Sequence, residues 1–372
     1  MLEAPVIGIK ESELPEGTRK IDILAGALEE LLLIEYPPLK RDPAAKERLS
    51  SFIAEKNIAG IWVYYPWRKA AVHMPPEEIY FKLRTARNRN LITEAEQNSY
   101  RNLRVGIAGL SVGSAVVSSL VATGGPKHLK IADFDTLEVT NLNRIRATLL
   151  DVGENKAEIA ARTAWELDPF AEIELYREGL QEDTLVQFLA KPKLDVFIDE
   201  MDDLRFKVLA REECRKLKIP VLMATDNGDS AILDVERFDL EDAPPFHGRI
   251  ALDAATLVSL TPQERMKAAV TIIDPAFYTQ RQQESINVLG KDIAGIPQLG
   301  TSALLGAGAI TYTLRQIAIH GNMPSGRYAL SFEEACTPGY HSAESKKERE
   351  LNARRFAEAR GVPFSDFYGR FT

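Results

Sequence analysis

The sequence predicts an α/β protein: a doubly wound, mostly parallel, Rossmann-like sheet preceded by a small α+β accessory domain. Apolar strand-like runs alternate regularly with helix-like segments between residues 103 and 225. A glycine-containing turn follows the first of these runs, at a strand-helix junction where such sheets bind ligands. The length of 372 residues fits roughly two domains, and 45% hydrophobic residues fit a sizeable core.

The accessory domain is predicted over residues 1–80. Helices are predicted at residues 20–36 and 44–56, followed by two short strands in GIWVYYPW and KAAVHMP. The next helix, PPEEIYFKLRTARNR, opens with proline and acids, which favour a helix start. This mixture predicts an α+β unit that could hold a substrate.

The second domain is predicted over residues 81–335. Its expected parallel strands are LRVGIAGL, LKIADFD, AEIELYREG, LDVFIDE and IPVLMAT, with helices between them. AILDVERFD is expected to add an antiparallel strand, and residues 297–319 form an apolar helix rich in small residues. Residues 336–372 are predicted to be a charged helical tail, either a solvated face or an interaction surface.

Composition excludes several classes of protein. A net charge of -8 argues against a general nucleic-acid binder, which needs clustered cations. The two cysteines form no C-x-x-C pair, so no structural zinc is expected. The N-terminus lacks a signal-peptide pattern, and the longest apolar stretch, Ala303 to Ile310, is shorter than the ~20 residues needed to span a bilayer. We therefore expect a cytoplasmic protein without membrane contact.

The glycine turn and the acids after the next strand form the first candidate site. Gly109, Ser111 and Gly113 lie where a backbone can approach a phosphate at a helix N-terminus. Ser111 stands in place of the second glycine of G-x-G-x-x-G, so a merely tight turn is the alternative. Asp133, 20 residues after Gly113, is placed to bind ribose hydroxyls, whereas for Asp135 a turn or capping role is favoured.

The residues that follow favour a triphosphate over a dinucleotide. Asn141, Arg144 and Lys156 come after the acid pair, and a plain dinucleotide site does not need them in this order. Together, Arg144 and Lys156 can neutralise phosphates and stabilise charge that grows on the α-phosphate. Taken singly, each cation is more often a solvated surface residue.

An acidic run, Asp199-Glu200-Met201-Asp202-Asp203, follows the strand LDVFI at the edge where open sheets bind ligands. Carboxylates there can hold Mg²⁺ through one or two oxygens. A solvated loop or a helix cap is the alternative for each acid.

Together these motifs resemble the ThiF/MoeB/HesA (ubiquitin-activating-enzyme-like) adenylyltransferases from about Arg87 to Phe332. That family carries a glycine turn, then D-x-D, S-N-L-x-R, G-x-x-K and D-x-x-D. In this sequence the corresponding motifs read GLSVGS, DFD, TNLNR, GENK and DEMD. The resemblance implies that Asp133 binds ribose, that Asn141 and Arg144 contact phosphates, that Lys156 holds the triphosphate and that Asp202 coordinates Mg²⁺.

The resemblance also implies a homodimer, because family members complete each ATP site with an arginine from the neighbouring subunit. Arg89 is the best match to that arginine. The candidate catalytic residues are therefore Arg89, Arg144, Lys156 and Asp202. The candidate cofactor-binding residues are Gly109, Ser111, Gly113, Asp133, Asp135, Asn141, Arg144 and Lys156.

The sequence departs from the family in three ways. It has no C-x-x-C zinc pairs, and the glycine turn is one residue shorter than the usual loop. It also lacks an evident reactive cysteine, since Cys214 lies in a predicted amphipathic helix and nothing near Cys336 in sequence would lower its pKa.

The expected function is ATP-dependent adenylation of a carboxylate on a peptide, a carrier protein or a small molecule. The products would be an acyl-adenylate and pyrophosphate. An NAD(P)-dependent oxidoreductase is the first alternative, and it leaves Asn141, Arg144, Lys156 and Asp202 unexplained. A catalytically silent nucleotide-binding scaffold is the second, supported by the short turn and the missing cysteine.

Overall fold

The computed structural model describes residues 3–42, 45–251, 253–321 and 323–364. Residues 1–2 and 43–44 of the predicted accessory domain lie outside the described residues, as do residues 252 and 322 of the second domain and 365–372 of the tail. The chain divides into two compact units.

The first unit extends to Asn102 and also contains Val121–Lys127 and Arg162–Glu172. Its elements are β1 (Val6–Ile9), β2 (Arg19–Asp22), α1 (Leu24–Glu35), α2 (Ala45–Lys56), β3 (Ile61–Tyr65), β4 (Ala70–Met74), α3 (Glu77–Thr85) and α4 (Glu94–Arg101). The strands form one sheet in the order β1-β3-β4-β2. β1 and β2, which the sequence analysis did not predict, are short edge strands with mostly exposed side chains.

The predicted helix at residues 20–36 begins later than expected. Residues 19–22 pair in parallel with β4 instead, and the Asp22 carboxylate accepts a hydrogen bond from the Leu24 backbone N–H at 3.0 Å. From there α1 buries Leu28, Leu31 and Leu32, which lie on one helix face because of their three- and four-residue spacing.

The first unit runs past the predicted boundary at residue 80 because ion pairs hold the later helices in it. The buried Asp168 carboxylate lies 2.8 Å from Arg84 and 3.0 Å from Arg101. The Tyr80 hydroxyl donates to the Leu167 carbonyl oxygen at 2.7 Å. Helices α3 and α4 therefore belong to this unit with residues 162–172.

The second unit contains a seven-stranded sheet in the order β11-β10-β9-β8-β5-β6-β7. Its elements, of which α5, α6 and β7 have one end in the first unit, are β5 (Arg104–Ala108), α5 (Val112–Ala122), β6 (His128–Ala132), α6 (Lys156–Leu167), β7 (Glu172–Tyr176), α7 (Glu182–Ala190), β8 (Val196–Asp199), α8 (Leu204–Leu217), β9 (Val221–Asp226), β10 (Ser230–Glu236), α9 (Ala254–Val258), α10 (Pro262–Ile273), α11 (Gln280–Val288), α12 (Gly300–His320), β11 (Gly326–Ser331), α13 (Phe332–Cys336) and α14 (Ala343–Arg360).

This sheet confirms the predicted doubly wound class. β6, β5, β8 and β9 run parallel, whereas β10 is antiparallel to both β9 and β11, as expected. The chain proceeds from β5 to β6 and β7 on one side, then returns to β8 and β9 on the other. The order therefore reverses between β5 and β8, which places the ligand-binding crevice beyond the carboxyl ends of these strands.

The charged C-terminal segment is not simply a solvated face. Helix α14 buries Ala353, Phe356 and Ala357, an apolar stripe at helical spacing that its charged composition hides. Phe356 and Ala357 pack with Val270 and Tyr278 in one core cluster. The described part of the predicted tail is thus built into the second unit. No helix in the described ranges has both the length and the apolar character to cross a membrane.

Candidate functional site

The turn between β5 and α5 is shaped by a glycine with no room for a side chain. Gly109 has φ of +88°, and a Cβ there would overlap the Glu200 carbonyl oxygen. Gly113 packs in the first turn of α5, where a Cβ would lie 3.2 Å from the Ile107 side chain. The turn therefore brings the α5 N-terminus, a favourable place for an anion, to the sheet edge.

Asp133 braces this turn from the end of β6. Its carboxylate accepts a hydrogen bond from the Leu110 backbone N–H at 2.5 Å and another from the Asp135 backbone N–H at 2.8 Å. Burial raises its pKa even though both bonds favour the anion. A carboxylate has about four lone-pair sites, so Asp133 can hold the turn and still accept from a ribose hydroxyl.

Lys156 already has a carboxylate partner. Its buried Nζ lies 2.8 Å from the Asp135 carboxylate, which is half exposed. Lys156 is the first residue of α6, and the preceding Asn155 side chain accepts from the Ala157 backbone N–H at 3.1 Å, fixing the helix start. A bound phosphate would therefore share or displace Asp135.

Arg144 is held by neutral groups. Its Nε donates to the Ser111 hydroxyl at 2.9 Å, and one terminal nitrogen donates to the Asn143 side-chain oxygen at 3.0 Å and to the Thr140 carbonyl oxygen at 3.3 Å. Within the described residues, no carboxylate lies within ion-pair distance of it. Ser111, which replaces the expected glycine, thus positions a cation whose charge is not compensated by a salt bridge.

Asn141 shapes the loop that carries Arg144. It is buried, and its side-chain oxygen accepts a hydrogen bond from the Glu138 backbone N–H at 3.0 Å. The Asn143 side chain, in turn, donates to the Gln298 carbonyl oxygen at 2.8 Å, just before α12.

The acidic run after β8 separates into different roles. Asp199 is fully buried against Arg211. Glu200 is buried beneath the glycine turn, where burial holds its pKa well above the ordinary value. Asp203 caps α8 through a backbone N–H at 2.9 Å. Asp202 alone of these acids is exposed with no hydrogen bond or ion pair in the described parts of the chain.

Asp202 suits a Mg²⁺ ion that is also bound by phosphate oxygens. Among the described ranges, no group of three or more His, Cys, Asp or Glu side chains is arranged to hold a metal ion. Mg²⁺ is commonly held by one or two carboxylates together with substrate phosphates. Asp202 therefore suits a Mg²⁺ ion that arrives with a nucleotide, and it does not suit a resident protein-only site.

The structure adds Asp226, which the sequence analysis missed. It ends β9, and its carboxylate accepts a hydrogen bond from the Ser302 hydroxyl at 3.0 Å. Its other oxygen is buried without a hydrogen-bond partner in the described chain. Burial raises the pKa of Asp226 to about 6, against the Ser302 bond and the nearby charge of Arg144, which lower it. Asp226 follows a predicted parallel strand, as Asp133 and Asp199 do, and that position was the available signal.

The sequence analysis also discussed Arg89 and the two cysteines. Arg89 belongs to the first unit, where it is exposed at the end of the short 3-10 helix Ala86–Asn88. Cys214 is buried in the core, and burial raises the pKa of its thiol well above the ordinary value, so it stays neutral. Cys336 is exposed in α13.

This edge has the chemical features that suit a polyphosphate. It offers a helix N-terminus, an uncompensated arginine, a lysine paired with one carboxylate, and a free carboxylate for a cation. Cations around a phosphate are suited to stabilise the negative charge that develops when a phosphate bond breaks.

Residues 85–231 of the chain match the ThiF family. An uncharacterized protein of Mycobacterium tuberculosis (strain CDC 1551 / Oshkosh) is 38% identical over 276 residues, 74% of this chain and 38% of that protein. The tRNA threonylcarbamoyladenosine dehydratase of Bacillus subtilis (strain 168) is 26% identical over 163 residues, 44% of this chain and 63% of that protein. A molybdopterin-synthase adenylyltransferase of Haemophilus influenzae is 28% identical over 122 residues, 32% of this chain and 48% of that protein.

Among solved structures, the tRNA N6-threonylcarbamoyladenosine dehydratase of E. coli aligns with a TM-score of 0.47 and 20% identity, over 64% of this chain and 95% of that one. The chain spans less than two thirds of each of the three curated relatives named above.

Proposed function

We propose, from the premise that this chain is a member of the ThiF/MoeB-type family, that it uses ATP to adenylate a carboxylate. The observation that carries the proposal is Arg144, held at the sheet edge by neutral acceptors beside the glycine turn. A cation kept free of carboxylates in this position favours a polyanionic ligand, and Lys156 adds a second cation.

In the proposed reaction, a substrate carboxylate oxygen attacks the α-phosphorus of ATP. The bond from that phosphorus to the oxygen bridging to the β-phosphate breaks, and pyrophosphate leaves with the electron pair. Arg144 and Lys156 would stabilise the growing charge, and Asp133 would orient the ribose. Asp202 would hold the Mg²⁺ that accompanies the nucleotide, and this ion supplies further charge neutralisation.

A thermal-shift comparison of ATP-Mg²⁺ with NAD and NADP tests the nucleotide. A ligand at ~100 times its Kd stabilises a protein by about 2.7 kcal/mol, so ATP-Mg²⁺ should raise the melting temperature clearly. A shift with NAD or NADP and none with ATP would support the oxidoreductase alternative instead.

We also propose a homodimer, supported by the outer face of α12. Gly306 and Ala307 are buried against the sheet, whereas Leu304 and Tyr312 are 56% and 51% exposed along an apolar groove of about 650 Å³. A two-fold interface uses the same patch on both copies, and this face offers one. Sedimentation at micromolar concentration should give a dimer that Leu304→Glu weakens.

A monomer with full ATP turnover would contradict a site shared between two subunits, including the proposed contribution of Arg89. We also propose that the first unit takes part in substrate binding.

A further inference from the structure

A cavity of about 510 Å³ lies in the second unit, beside the candidate nucleotide site. Its walls come from β10 and β11, the start of α11 and the start of α14. Asn227, directly after Asp226, lines it. The Ser302 hydroxyl lies within hydrogen-bond distance of both the Asp226 carboxylate, at 3.0 Å, and the carbonyl oxygen of Ser230, which also lines the cavity. Asn227 and Ser230 in the cavity wall are therefore linked to Asp226 by the chain and through Ser302.

The lining suits a polar ligand of modest size. The volume is within the range of about 300–1,000 Å³ that is typical of small-molecule sites. Side-chain amides line it at Asn227, Gln283 and Asn352, together with the aromatic rings of Tyr278 and Tyr340. The Asn227 amide already bonds the backbone of Phe277 and Thr279, and the Gln283 amide nitrogen bonds the Tyr278 carbonyl oxygen. The Gln283 side-chain oxygen, the Asn352 amide and the rings suit a ligand with amide groups and short carbon segments.

Two basic side chains, Lys346 and Arg349, line the cavity, and Arg349 has defined contacts there. It is half-buried on α14, with its guanidinium carbon 3.6 Å from the centre of the Tyr340 ring, and it donates to the Ser345 hydroxyl at 2.6 Å. Over the described ranges, no carboxylate lies within ion-pair distance of it. Arginine presents five N–H donors in a planar fork, so most of its donors stay available for a carboxylate.

Three acids line the same cavity, and in the described ranges none of them lies within ion-pair distance of Arg349. Glu333 and Glu348 are exposed lining residues, and Glu334 lies 3.9 Å from His341. The N-terminus of α14, which also lines the cavity, adds partial positive charge.

We propose that this cavity binds the acyl substrate, and that the substrate is a small, peptide-like dicarboxylate. One carboxylate reaches the nucleotide edge past Asn227, and Arg349 binds the other. This inference rests on the proposed adenylation, which it deepens by naming the substrate class and a specificity-determining residue.

Calorimetric binding to the full chain tests the inference with defined probes: acetylated tripeptides with one Glu at each position in turn, each with its Gln counterpart. We expect at least one Glu tripeptide to bind about tenfold tighter than its Gln counterpart, because a charge-assisted pair with arginine is lost in the amide. Arg349→Gln should remove this preference. Arg349→Lys should retain part of it, since it keeps the charge and loses the fork.

Arg354→Gln is the matched control, because Arg354 lies on the same helix but is 45% exposed and paired with Glu350. It should leave the preference intact. Equal affinity for Glu and Gln probes, binding of neither, or a preference that survives Arg349→Gln would overturn the inference. If the preference behaves as expected but the bound tripeptide supports no ATP–pyrophosphate exchange, the adenylation proposal fails instead.

Discussion

Arg211 and Arg144 lie in the same unit and have opposite surroundings. Arg211 is fully buried, pairs with Asp199 and Glu236, and stacks 3.9 Å from the centre of the Phe246 ring. Arg144 is half-buried and contacts only neutral acceptors in the described chain. Arg211 is therefore committed to the fold, whereas Arg144 keeps its charge available to a ligand. The two arginines therefore differ in the charge of their hydrogen-bond partners: carboxylates around Arg211 and neutral oxygens around Arg144.

The largest expected effect is on stability, at Arg211. Arg211→Ala should cost about 3–5 kcal/mol of unfolding free energy, because two buried carboxylates lose the guanidinium between them and Asp199 keeps only Lys207 as a cationic partner. Arg144→Ala, measured by urea unfolding in parallel, should change stability by no more than about 0.5 kcal/mol. Similar losses of unfolding free energy at the two positions would show that Arg144 contributes to the fold as much as Arg211 does.

A second effect concerns the turn that Arg144 overlies. Gly109→Ala should destabilise the protein by more than about 2 kcal/mol, since positive φ alone costs roughly 1–2 kcal/mol and the methyl group also overlaps Glu200. Gly153→Ala is the control, because Gly153 has φ of +92° and nothing within 4 Å of the added carbon. If thermal melting shows equal losses of stability for Gly109→Ala and Gly153→Ala, the overlap with Glu200 does not contribute to the effect.

The pH dependence of stability tests the environment of Asp226. A pKa of about 6 in the folded state, against 3.8 as the ordinary value, means that the folded protein binds this proton more tightly than the unfolded chain. Native stability should therefore be lost as pH rises from about 4 to 6. Asp226→Asn should be more stable than wild type at pH 8, by about 1–3 kcal/mol, and the difference should vanish near pH 4. Denaturant unfolding at several pH values measures it, and a pH-independent difference argues against a raised pKa.

The smallest effects are expected at the cysteines. Cys214→Ser and Cys336→Ser should each retain ATP–pyrophosphate exchange within about twofold, because the proposed attack of a carboxylate on the α-phosphorus needs no thiol and Cys214 is buried and neutral. Loss of exchange in either folded variant would show that a thiol takes part in this step.

Much of the second unit could be predicted because its signals are local. Parallel strands are continuous apolar runs, and their carboxyl ends locate Asp133 and Asp199 directly. What could not be predicted depends on tertiary contacts. The hydroxyl of Ser111 reaches Arg144 across a separation of 33 residues. The burial of α14 depends on an apolar stripe with charged residues all around it, and β1 and β2 are short edge strands whose exposed side chains give no periodic signal.

We propose that Arg144, which forms no ion pair in the described chain, stabilises negative charge on the phosphates of ATP. ATP–pyrophosphate exchange tests it most directly, using the acetylated tripeptides and simple carboxylates as substrates. We predict exchange by the wild type with at least one of them. Arg144→Ala and Lys156→Ala should lower it by about a hundred- to a thousandfold, or ~3–4 kcal/mol, with circular dichroism unchanged. Exchange by the folded Arg144→Ala variant at the wild-type rate would show that Arg144 does not stabilise charge on the phosphates.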